Sequence, residues 1–329
     1  MTVAATPLLE VEGLEVAFPL PRRRHWPAPA PLLRAVAGVS LELAAGETLG
    51  VVGESGCGKS TLLRALIGLE RINGGRIRFA GEEMTGARGA ALRRLRRGMQ
   101  MVFQDPFGSL NPRLRAGQAL EEALRANFKL AAAERTRRTA ALLERVGLAP
   151  ALKDRFPHEL SGGQRQRLGI ARALAVEPQL LLADEPVSAL DVSVQAQIIN
   201  LFAELRRDLN LACLFIAHDL AVVRHLCDRV AVMYLGRIVE TGPAAAVYAR
   251  PRHPYTRALL AAAPEPAADR RLARAPLAGE PPSPADPPPG CPFHPRCPLA
   301  VARCQQLRPE LAPAPGAPTH QAACHLAGQ

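Results

Sequence analysis

The chain is poor in aromatic residues and contains no apolar run long enough to cross a membrane. Aromatics make up 4% of the 329 residues, so Leu, Ala, Val and Ile must build most of any core. The most apolar segment, residues 209–223, is interrupted by His218 and Asp219 and is too short to span a bilayer. Residues 1–10 lack the charged and apolar regions of a secretory signal. We therefore expect a cytoplasmic protein that reaches a membrane only through partners.

Lysine is also scarce, although the chain is strongly basic. The formal net charge is +11, yet lysine occurs only at Lys59, Lys129 and Lys153, and arginine supplies nearly all of the positive charge. A basic chain can indicate nucleic-acid binding. A composition rich in Arg, Ala and Pro favours instead a bias of the coding genome, or a position beside an anionic membrane surface. We predict no nucleic-acid partner.

Short apolar runs alternate with stretches of helical periodicity. The sequence predicts strands at 8–18, 36–43, 48–52, 76–79, 99–103, 180–183, 212–217 and 230–234. It predicts helices at 60–69, 164–176, 194–209 and 220–226, with further helix between 113 and 160. This alternation is typical of an α/β domain with a largely parallel sheet covered on both faces. Of the 31 prolines, 18 lie between 251 and 329, so this tail is expected to contain neither long helices nor central strands.

Residues 53–60 read GESGCGKS, which fits the phosphate-loop pattern G-x-x-x-x-G-K-S/T in full. Glycines let backbone N–H groups converge on phosphates, and the helix that follows points its positive end at them. Lys59 is expected to bind the β- and γ-phosphates, and the Ser60 hydroxyl to ligate Mg²⁺. The predicted phosphate-binding residues are Gly53, Glu54, Ser55, Gly56, Cys57, Gly58, Lys59, Ser60 and Thr61.

The apolar strand at 180–183 is followed by two acidic residues. Asp184 is expected to hold Mg²⁺ at the end of the strand, and Glu185 to face the water that attacks the γ-phosphate. An acidic turn after a strand is common by itself. Together with the phosphate loop it indicates a P-loop enzyme, because these enzymes need a carboxylate at a strand end for the metal.

Residues 160–164 read LSGGQ and are followed by RQR, and this stretch resembles the signature of the ABC ATPase family. The resemblance implies that Phe18 stacks on adenine, although an insertion between 18 and 36 makes Trp26 the alternative. It implies that Gln104 ligates Mg²⁺ and couples the site to membrane subunits. It also implies a D-loop at 188–191 that places Asp191 at the nucleotide, and a catalytic His218 that orients the attacking water.

The resemblance also assigns a function to the signature residues Ser161, Gly162, Gly163 and Gln164. In this family they bind the γ-phosphate of ATP that an opposite subunit holds. Serine and two glycines before a helix are also an ordinary N-cap, and both interpretations can hold at once. One chain carries one phosphate loop and one signature, so a complete site requires two chains. We expect an ATP-sandwiched dimer, with a homologous second ABC ATPase more favoured than a second copy of this chain.

Longer stretches resemble the oligopeptide/dipeptide/nickel branch of ABC importers. They are MVFQDPFGSLNPR at 101–113, DEPVSALDVSVQAQIINL at 184–201 and RPRHPYTRALLAA at 250–262. The resemblance implies a P-loop NTPase fold of the ABC ATPase type, with a RecA-like parallel sheet core, an antiparallel β subdomain and a helical signature subdomain at about 105–172. It implies an ABC ATP-binding domain at 1–245 and a Pro- and Cys-rich C-terminal extension at 246–329.

This branch of the family implies the function and the partners. The chain is expected to hydrolyse ATP to energise peptide import, with nickel, glutathione and other small solutes remaining open as cargo. The implied partners are two transmembrane permease subunits and an extracytoplasmic solute-binding protein. The implied location is the cytoplasmic face of the inner membrane, where the chain is peripheral.

Four of the seven cysteines lie in the Pro-rich tail, at Cys291, Cys297, Cys304 and Cys324. Disulfides are unusual in a cytoplasmic ATPase, and a short segment with little core gains stability from a metal. The spacing C-x5-C-x6-C-x19-C lacks the close pair usual for zinc, so zinc, an iron–sulfur cluster and no metal all remain open. The stretch GCPFHPRC resembles the importer extension, which implies a 4Fe–4S cluster on these four cysteines.

Two other functions fit part of the sequence. A soluble ABC ATPase acting on nucleic acid or ribosomes would use the same ATP chemistry and would account for the positive charge. Members of that kind usually carry two cassettes or a long coiled coil, and the sequence shows neither. A P-loop kinase would give the LSGGQ stretch no function.

Overall fold

The structure is a computed structural model that describes residues 6–20, 32–188, 190–217, 220–262 and 279–328. The chain divides into two compact units. Unit 1 lies within Met1–Ala44, Thr48–Gly86 and Ala217–Gln329, and unit 2 within Ala45–Glu47 and Ala87–Ile216. Over the described ranges, no helix combines the length and the apolar character that a membrane span requires.

Eight strands of the described residues coincide with the predicted apolar runs, and four others, in residues 82–83, 237–243, 312–314 and 317–322, were not predicted. They are β1 (Leu9–Pro19), β2 (Leu32–Leu43), β3 (Thr48–Val52), β4 (Gly74–Phe79), β5 (Glu82–Glu83), β6 (Met99–Val102), β7 (Leu180–Asp184), β8 (Ala212–Ala217), β9 (Arg229–Tyr234), β10 (Arg237–Pro243), β11 (Ala312–Ala314) and β12 (Ala317–Ala322). Every residue of β3, β7 and β8 is buried, as expected for strands of a sheet that is covered on both faces.

The helices of the described residues lie mostly between these strands. They are α1 (Lys59–Leu66), α2 (Gly89–Gly98), α3 (Pro106–Ser109), α4 (Ala116–Asn127), α5 (Ala132–Arg145), α6 (Gly162–Leu174), α7 (Val192–Leu209), α8 (Leu220–Leu226), α9 (Ala244–Ala249), α10 (Pro254–Ala262) and α11 (Ala302–Gln306). Short 3₁₀ turns occupy Pro150–Asp154, Pro157–Glu159 and His294–Arg296. The predicted helical stretch 113–160 therefore ends in tight turns, because Pro150 and Pro157 stand where a helix begins rather than inside one.

Unit 1 contains two sets of strands. Strands β2, β1, β4 and β5 form an antiparallel sheet in that order. Strands β11, β12, β10, β9 and β3 are neighbours in a second sheet, where only the β3–β9 pair is parallel and the other pairs are antiparallel. The phosphate-loop stretch follows β3, so a fully buried strand anchors the beginning of that loop.

Unit 2 carries three parallel strands in the order β8, β7 and β6. In this register Ala183 of β7 pairs with Val102 of β6 and Phe215 of β8. Parallel strands end at the same edge, so the residues that follow β6 and β7 emerge side by side. This register brings the segment after Val102 next to the acidic residues at 184–185.

The proline-rich tail departs from the sequence prediction. Strand β12 pairs with β10 on one side and β11 on the other, so it is a central strand, which the proline count was expected to exclude. The residues that pair on both sides are Gln321 and Ala322, whereas Pro318 lies outside this doubly paired part. Proline is compatible with the strand because it lies where no ladder hydrogen bond is required from its nitrogen.

Candidate nucleotide-binding and hydrolysis residues

The phosphate loop in unit 1 is closed around its backbone. A Cβ added to Gly58 would lie 2.0 Å from the carbonyl oxygen of Ala35, and one added to Gly53 would lie 2.2 Å from that of Met233. Gly58 also has φ of +107°, a conformation that L-residues rarely adopt. Only glycine fits these two positions, which leaves a backbone surface that a phosphate group can approach closely.

Lys59 folds back over this loop. Its ammonium group donates to the carbonyl oxygens of Gly53 at 2.8 Å and Glu54 at 3.0 Å, and its side chain is buried. Helix α1 begins at Lys59, and no side chain caps its N-terminal end. Ser60 and Thr61 follow in the first turn of α1, where the helix dipole favours an anion. The predicted loop residues 53–61 are thus contiguous and share one cradle at the start of α1.

Cys57 fills the interior of the phosphate loop. Its side chain is buried, and burial raises the pKa of the thiol while the nearby Lys59 ammonium group lowers it. The thiol therefore stays protonated at neutral pH. This fits the role of a small apolar filler rather than of a nucleophile.

Two residues from the C-terminal part of unit 1 contact the phosphate loop and were not found by the sequence analysis. The Tyr255 hydroxyl accepts a hydrogen bond from the backbone N–H of Glu54 at 2.8 Å. The Arg296 guanidinium donates two hydrogen bonds to the Glu54 carboxylate, at 2.7 and 2.9 Å. These residues lie 201 and 242 positions from Glu54 in the sequence, so no local pattern could identify them.

The catalytic candidates of unit 2 cluster at the carboxyl end of β7. Asp184 and Glu185 are both buried, and Glu185 has φ of +47°, a strained backbone conformation for a residue with a side chain. The Gln104 amide, on the segment that follows β6, donates to the Glu185 carboxylate at 2.9 Å. Its distance to the Ser188 hydroxyl is 3.4 Å. The parallel register of β6 and β7 thus brings together three predicted motifs separated by 81 and 84 residues.

The signature in unit 2 forms the N-cap of helix α6. The Ser161 hydroxyl accepts from the N–H of Gln164 at 3.2 Å, and the Gln164 side chain accepts from the N–H of Ser161 at 2.9 Å. This reciprocal pair is a capping box, of which the sequence analysis predicts the serine N-cap but not the bond to the Gln164 side chain. Gly163 packs against the D-loop side of helix α7, since an added Cβ would lie 2.6 Å from Val194. Asp191 is the N-cap residue of α7, without a side-chain cap bond.

Of the remaining sequence candidates, the structure describes only Phe18. Phe18 lies near the end of β1, opposite Leu33 of β2, with 36% of its surface exposed. Trp26, its alternative for adenine stacking, lies outside the described residues. His218, the predicted catalytic histidine, and Ala189 of the D-loop also lie outside them.

The four tail cysteines lie in one small region of unit 1. Cys291 and Cys304 are buried, Cys297 and Cys324 are half-buried, and all seven cysteines of the chain are free thiols. Burial raises the pKa of Cys291 to about 11, and charge repulsion from the other three tail cysteines contributes to this shift. Within the ranges that the structure describes, no group of three or more His, Cys, Asp or Glu side chains is arranged to hold a metal ion.

A buried carboxylate attaches the tail to the sheet of unit 1. Glu240 of β10 is fully buried and accepts from the backbone N–H groups of Arg252 at 2.7 Å and His253 at 2.9 Å. The His320 ring nitrogen lies 2.7 Å from the same carboxylate. One side chain thereby ties β10 to the start of α10 and to β12. These contacts fix the segment from which Tyr255 reaches the phosphate loop.

Two family models match the chain. The model described as "ABC transporter" matches residues 36–188, and the one described as "Oligopeptide/dipeptide transporter, C-terminal region" matches residues 239–304. The first includes the phosphate loop, Gln104, the signature and Glu185. The second includes Tyr255, Arg296 and three of the four tail cysteines.

Curated relatives match nearly the whole chain. The probable peptide ABC transporter ATP-binding protein y4tS of Sinorhizobium fredii is 54% identical over 97% of this chain and 90% of its own length. The oligopeptide transport ATP-binding protein OppF of Salmonella typhimurium is 51% identical, covering 92% of each chain. The di/tripeptide transport ATP-binding protein DppF of Pseudomonas aeruginosa is 51% identical over 90% of this chain and 91% of its own.

Solved structures share the fold. The structure of cbiO1 from Clostridium perfringens, part of the ABC transporter complex cbiONQ, has a TM-score of 0.64 and 31% identity over 74% of this chain and 91% of its own. The ATP-binding cassette MJ0796, solved as a dimer in a post-hydrolysis state with ADP and Pi, also has a TM-score of 0.64, with 26% identity over 72% of this chain and 98% of its own.

The fold, the phosphate loop and the capped signature helix together define an ATPase of the ABC type. The predicted fold class is confirmed. The chain belongs to the family of ATP-binding subunits of oligopeptide/dipeptide ABC transporters.

Proposed function

We propose that this chain binds Mg²⁺·ATP and hydrolyses it to drive peptide import through a membrane ABC transporter. One observation carries the proposal: a single chain joins a complete phosphate loop to a C-terminal region that matches oligopeptide/dipeptide transporters. Curated relatives over at least 90% of the chain are named as peptide transport ATP-binding proteins. Peptide is the cargo that these names favour, over nickel, glutathione or another small solute.

The described residues fit the nucleotide and the metal. The loop offers a backbone cradle that a Cβ at Gly53 or Gly58 would fill, and it keeps the Lys59 ammonium group inside that cradle. Ser60 lies in the first turn of α1, and Asp184 is a buried carboxylate at the end of a strand. Hydroxyl and carboxylate oxygens are the ligands that Mg²⁺ prefers, and Gln104 adds an amide oxygen. Mg²⁺, when bound, neutralises charge on the phosphate oxygens.

The proposed roles divide binding from proton transfer. Lys59 and the N–H groups of residues 53–61 hold the phosphates, and Phe18 stacks on adenine. The Glu185 carboxylate accepts a proton from the attacking water, with His218 orienting that water. The Gln104 amide donates to the Glu185 carboxylate, so a displacement of the loop that carries Gln104 changes this hydrogen bond. Ser161, Gly162, Gly163, Gln164 and Asp191 serve the nucleotide of a partner subunit.

Substitution of Glu185 tests the proposed hydrolytic residue. Glu185→Gln keeps the shape and a hydrogen-bond partner for Gln104 but removes the proton acceptor. We expect turnover to fall roughly 100-fold or more while ATP binding persists. Glu204→Gln, at an exposed position of α7 in the same unit, is the control and should retain wild-type turnover. Normal turnover in the Glu185 variant would remove this residue from the mechanism.

The proposal includes the domain boundaries and the assembly. It takes residues 1–245 as the ATP-binding domain, with a helical part at about 105–172, and residues 246–329 as the C-terminal extension. It places the chain peripherally at the cytoplasmic face of the inner membrane, beside two permease subunits and a second ABC ATPase. An extracytoplasmic solute-binding protein completes the system. Full turnover by the isolated chain as a strict monomer would contradict the dimeric site.

Affinity capture of the tagged chain from gently solubilised membranes tests the transporter. Recovery of two polytopic membrane proteins and a second ATPase is the expected result, and reconstitution of that complex with radiolabelled di- and oligopeptides then tests the cargo. Recovery in the soluble fraction with nucleic acid or ribosomes would leave the ATPase chemistry intact and would replace the import function by the alternative one.

The finer proposal for the tail is a 4Fe–4S cluster held by Cys291, Cys297, Cys304 and Cys324. The donor set fits in kind, because four thiols interact electrostatically and none is in a disulfide. Their arrangement is not that of a formed metal site, so binding would have to draw the thiols together. Thiolate ligation would overcome the raised pKa of Cys291, since a bound metal favours the deprotonated sulfur.

Anaerobic purification distinguishes the three states of the tail. A brown protein with about four irons and about four labile sulfides per chain is expected. A colourless protein with one equivalent of zinc would replace the cluster by a zinc centre, and a protein free of both metals would show that the thiols act without one. The variant Cys213→Ala, which alters a cysteine outside the tail, controls for iron bound elsewhere.

A further inference from the structure

The cysteine-bearing segment reaches the phosphate loop through one arginine. Arg296 lies in the 3₁₀ turn His294–Arg296, between Cys291 and Cys297. Its guanidinium faces the Glu54 carboxylate with two parallel hydrogen bonds of 2.7 and 2.9 Å. The Arg296 side chain is 4% exposed and the Glu54 side chain is 24% exposed, so this bidentate ion pair is buried on its arginine side and partly exposed on its carboxylate side. Glu54 is the second residue of the phosphate loop, directly after Gly53.

Aromatic rings enclose this ion pair. The Tyr234, Tyr255 and Phe293 rings pack against one another with centroids 4.7 to 5.4 Å apart. The Tyr234 hydroxyl lies 3.5 Å from Arg296, and Tyr255 accepts from the N–H of Glu54. The rings shield the Arg296 guanidinium from water, which strengthens its attraction to the carboxylate. Hydrogen bonding to Glu54 raises the pKa of Arg296, so its positive charge persists at every physiological pH.

The charge of Glu54 is the reason that this pair bears on nucleotide binding. The loop must accept a triphosphate, and an unpaired carboxylate within that loop would repel it. Arg296 neutralises this negative charge directly, because its two terminal nitrogens each donate a hydrogen bond to one oxygen of the Glu54 carboxylate. The Lys59 ammonium group donates to the loop carbonyls of Gly53 and Glu54.

We propose that Arg296 is a positioning residue of the phosphate loop: it neutralises and orients Glu54, and thereby makes ATP affinity depend on the cysteine-bearing segment. The inference rests on the proposed function of residues 53–61 as the phosphate-binding loop. According to this inference, the segment that carries the cysteines affects nucleotide binding in addition to its structural role. Any change that shifts the turn between Cys291 and Cys297 shifts Arg296 as well, and so alters the charge that an incoming triphosphate meets.

The first test measures ATP and ADP affinity of the full chain by calorimetry with Mg²⁺ present. Arg296→Ala should weaken ATP binding about tenfold, because one unpaired carboxylate remains in a partly buried loop. ADP, with less negative charge, should lose less affinity. Arg303→Ala, at an exposed position on the same segment, is the matched control and should bind both nucleotides as the wild type does. Equal affinity of the Arg296 variant and the wild type would overturn the inference.

A double-mutant cycle separates charge compensation from a general loss of structure. In Glu54→Gln/Arg296→Ala both charges of the pair are gone, so ATP affinity should return to within about twofold of that of the wild type. If Arg296 only stabilises the tail, the double variant will bind ATP as weakly as Arg296→Ala, and the inference is wrong. Arg296→Lys, which keeps the charge but loses the bidentate geometry, should lie between wild type and Arg296→Ala.

Failure of the two proposals gives different results. A folded wild-type chain that binds no ATP would contradict both the proposed function of the loop and this inference. A wild-type chain that binds ATP, with an Arg296→Ala variant that binds it equally well, would sink this inference alone. Circular dichroism and thermal unfolding of each variant establish that the comparison is made between folded chains.

Discussion

The phosphate loop and the signature loop are both glycine-containing and both lead into a helix, but they are held in place by different contacts. The signature is fastened locally, since Ser161 and Gln164 bond to each other across three positions. The phosphate loop is fastened by distant residues, since Tyr255 and Arg296 come from the far C-terminal part of the chain. Helix α6 therefore has its own cap, whereas α1 begins without a side-chain cap. A local cap can form whenever the helix forms, but a distant fastening exists only when the whole of unit 1 is folded.

The largest effect should come from the one cation inside the phosphate loop. Lys59→Ala removes the ammonium group that the loop keeps within its cradle, so ATP binding and turnover should both fall about 100-fold or more. Lys129→Ala, at an exposed position of unit 2, is the control and should behave as the wild type. Calorimetry and phosphate-release assays measure the two quantities. Retained ATP affinity in the Lys59 variant would mean that the Lys59 ammonium group does not bind the phosphates.

The phosphate-loop residues tested by Lys59→Ala could be predicted from the sequence, because neighbouring residues form the whole loop. The phosphate loop is a contiguous pattern, and two of its glycines, Gly53 and Gly58, are required because the backbone carbonyls of Met233 and Ala35 lie close to them. The serine N-cap of α6 is likewise local, so it was predicted from the sequence, although the second bond of its capping box was not. The contact of Gln104 with Glu185 follows from the parallel register of two strands, which the alternation of elements indicates but does not fix.

Other contacts could not be predicted from the sequence. The Arg296–Glu54 pair requires the tail to dock on unit 1, and no periodicity encodes docking. The central position of β12 was predicted wrongly, because the proline count gave no information on which residues pair on both sides. Burial of Glu240 against three donors is a similar case, since a single acid in a strand predicts an exposed position.

Acid should act on the fastening of the phosphate loop. Burial holds the pKa of His253 down at about 3, and its ring accepts from the N–H of Tyr255. Because the folded-state pKa is below the ordinary value near 6.5, the neutral ring stabilises the fold above about pH 6.5, and this contribution is lost as pH falls towards 3. At pH 5 the loss is about 2 kcal/mol. Ser161 and Gln164 do not titrate, so acid should leave the signature cap unchanged.

The comparison of wild type with His253→Gln isolates this contribution. Urea unfolding at pH 7 and pH 5 gives the free energy of unfolding of each chain at the two values. The wild type should lose about 2 kcal/mol more than the variant over this interval, because the variant has no imidazole to protonate in the unfolded state. The charged neighbours of His253 are the same in both chains, so their contributions cancel in the comparison. Equal losses would show that His253 is accessible to protons in the folded chain.

Removal of the local cap should have a smaller effect. Ser161→Ala deletes the hydroxyl that accepts from the N–H of Gln164, which costs about 1 kcal/mol of unfolding free energy. If the same hydroxyl serves a partner's nucleotide, turnover should fall about tenfold while the ATP affinity of the isolated chain is unchanged. Ser161→Thr keeps both the hydroxyl and the cap, and serves as the control. A loss of ATP affinity in the isolated Ser161→Ala chain would show that the two loops are not independent.

The smallest expected effect is the most direct measure of a distant fastening. Tyr255→Phe keeps the aromatic packing against Tyr234 and Phe293 but removes the oxygen that accepts from the N–H of Glu54. A buried N–H without a partner costs about 1 kcal/mol or somewhat more, and part of that cost falls on the loop geometry, so ATP affinity should drop about threefold. Tyr248→Phe, whose hydroxyl bonds to Leu220 away from the loop, loses the same group and should leave affinity unchanged. If both variants bind ATP as tightly as the wild type does, the tail contacts stabilise unit 1 without affecting the shape of the phosphate loop. If only Tyr255→Phe weakens binding, the shape of the phosphate loop depends partly on a residue 201 positions away. The signature differs, because its cap is formed by residues three positions apart.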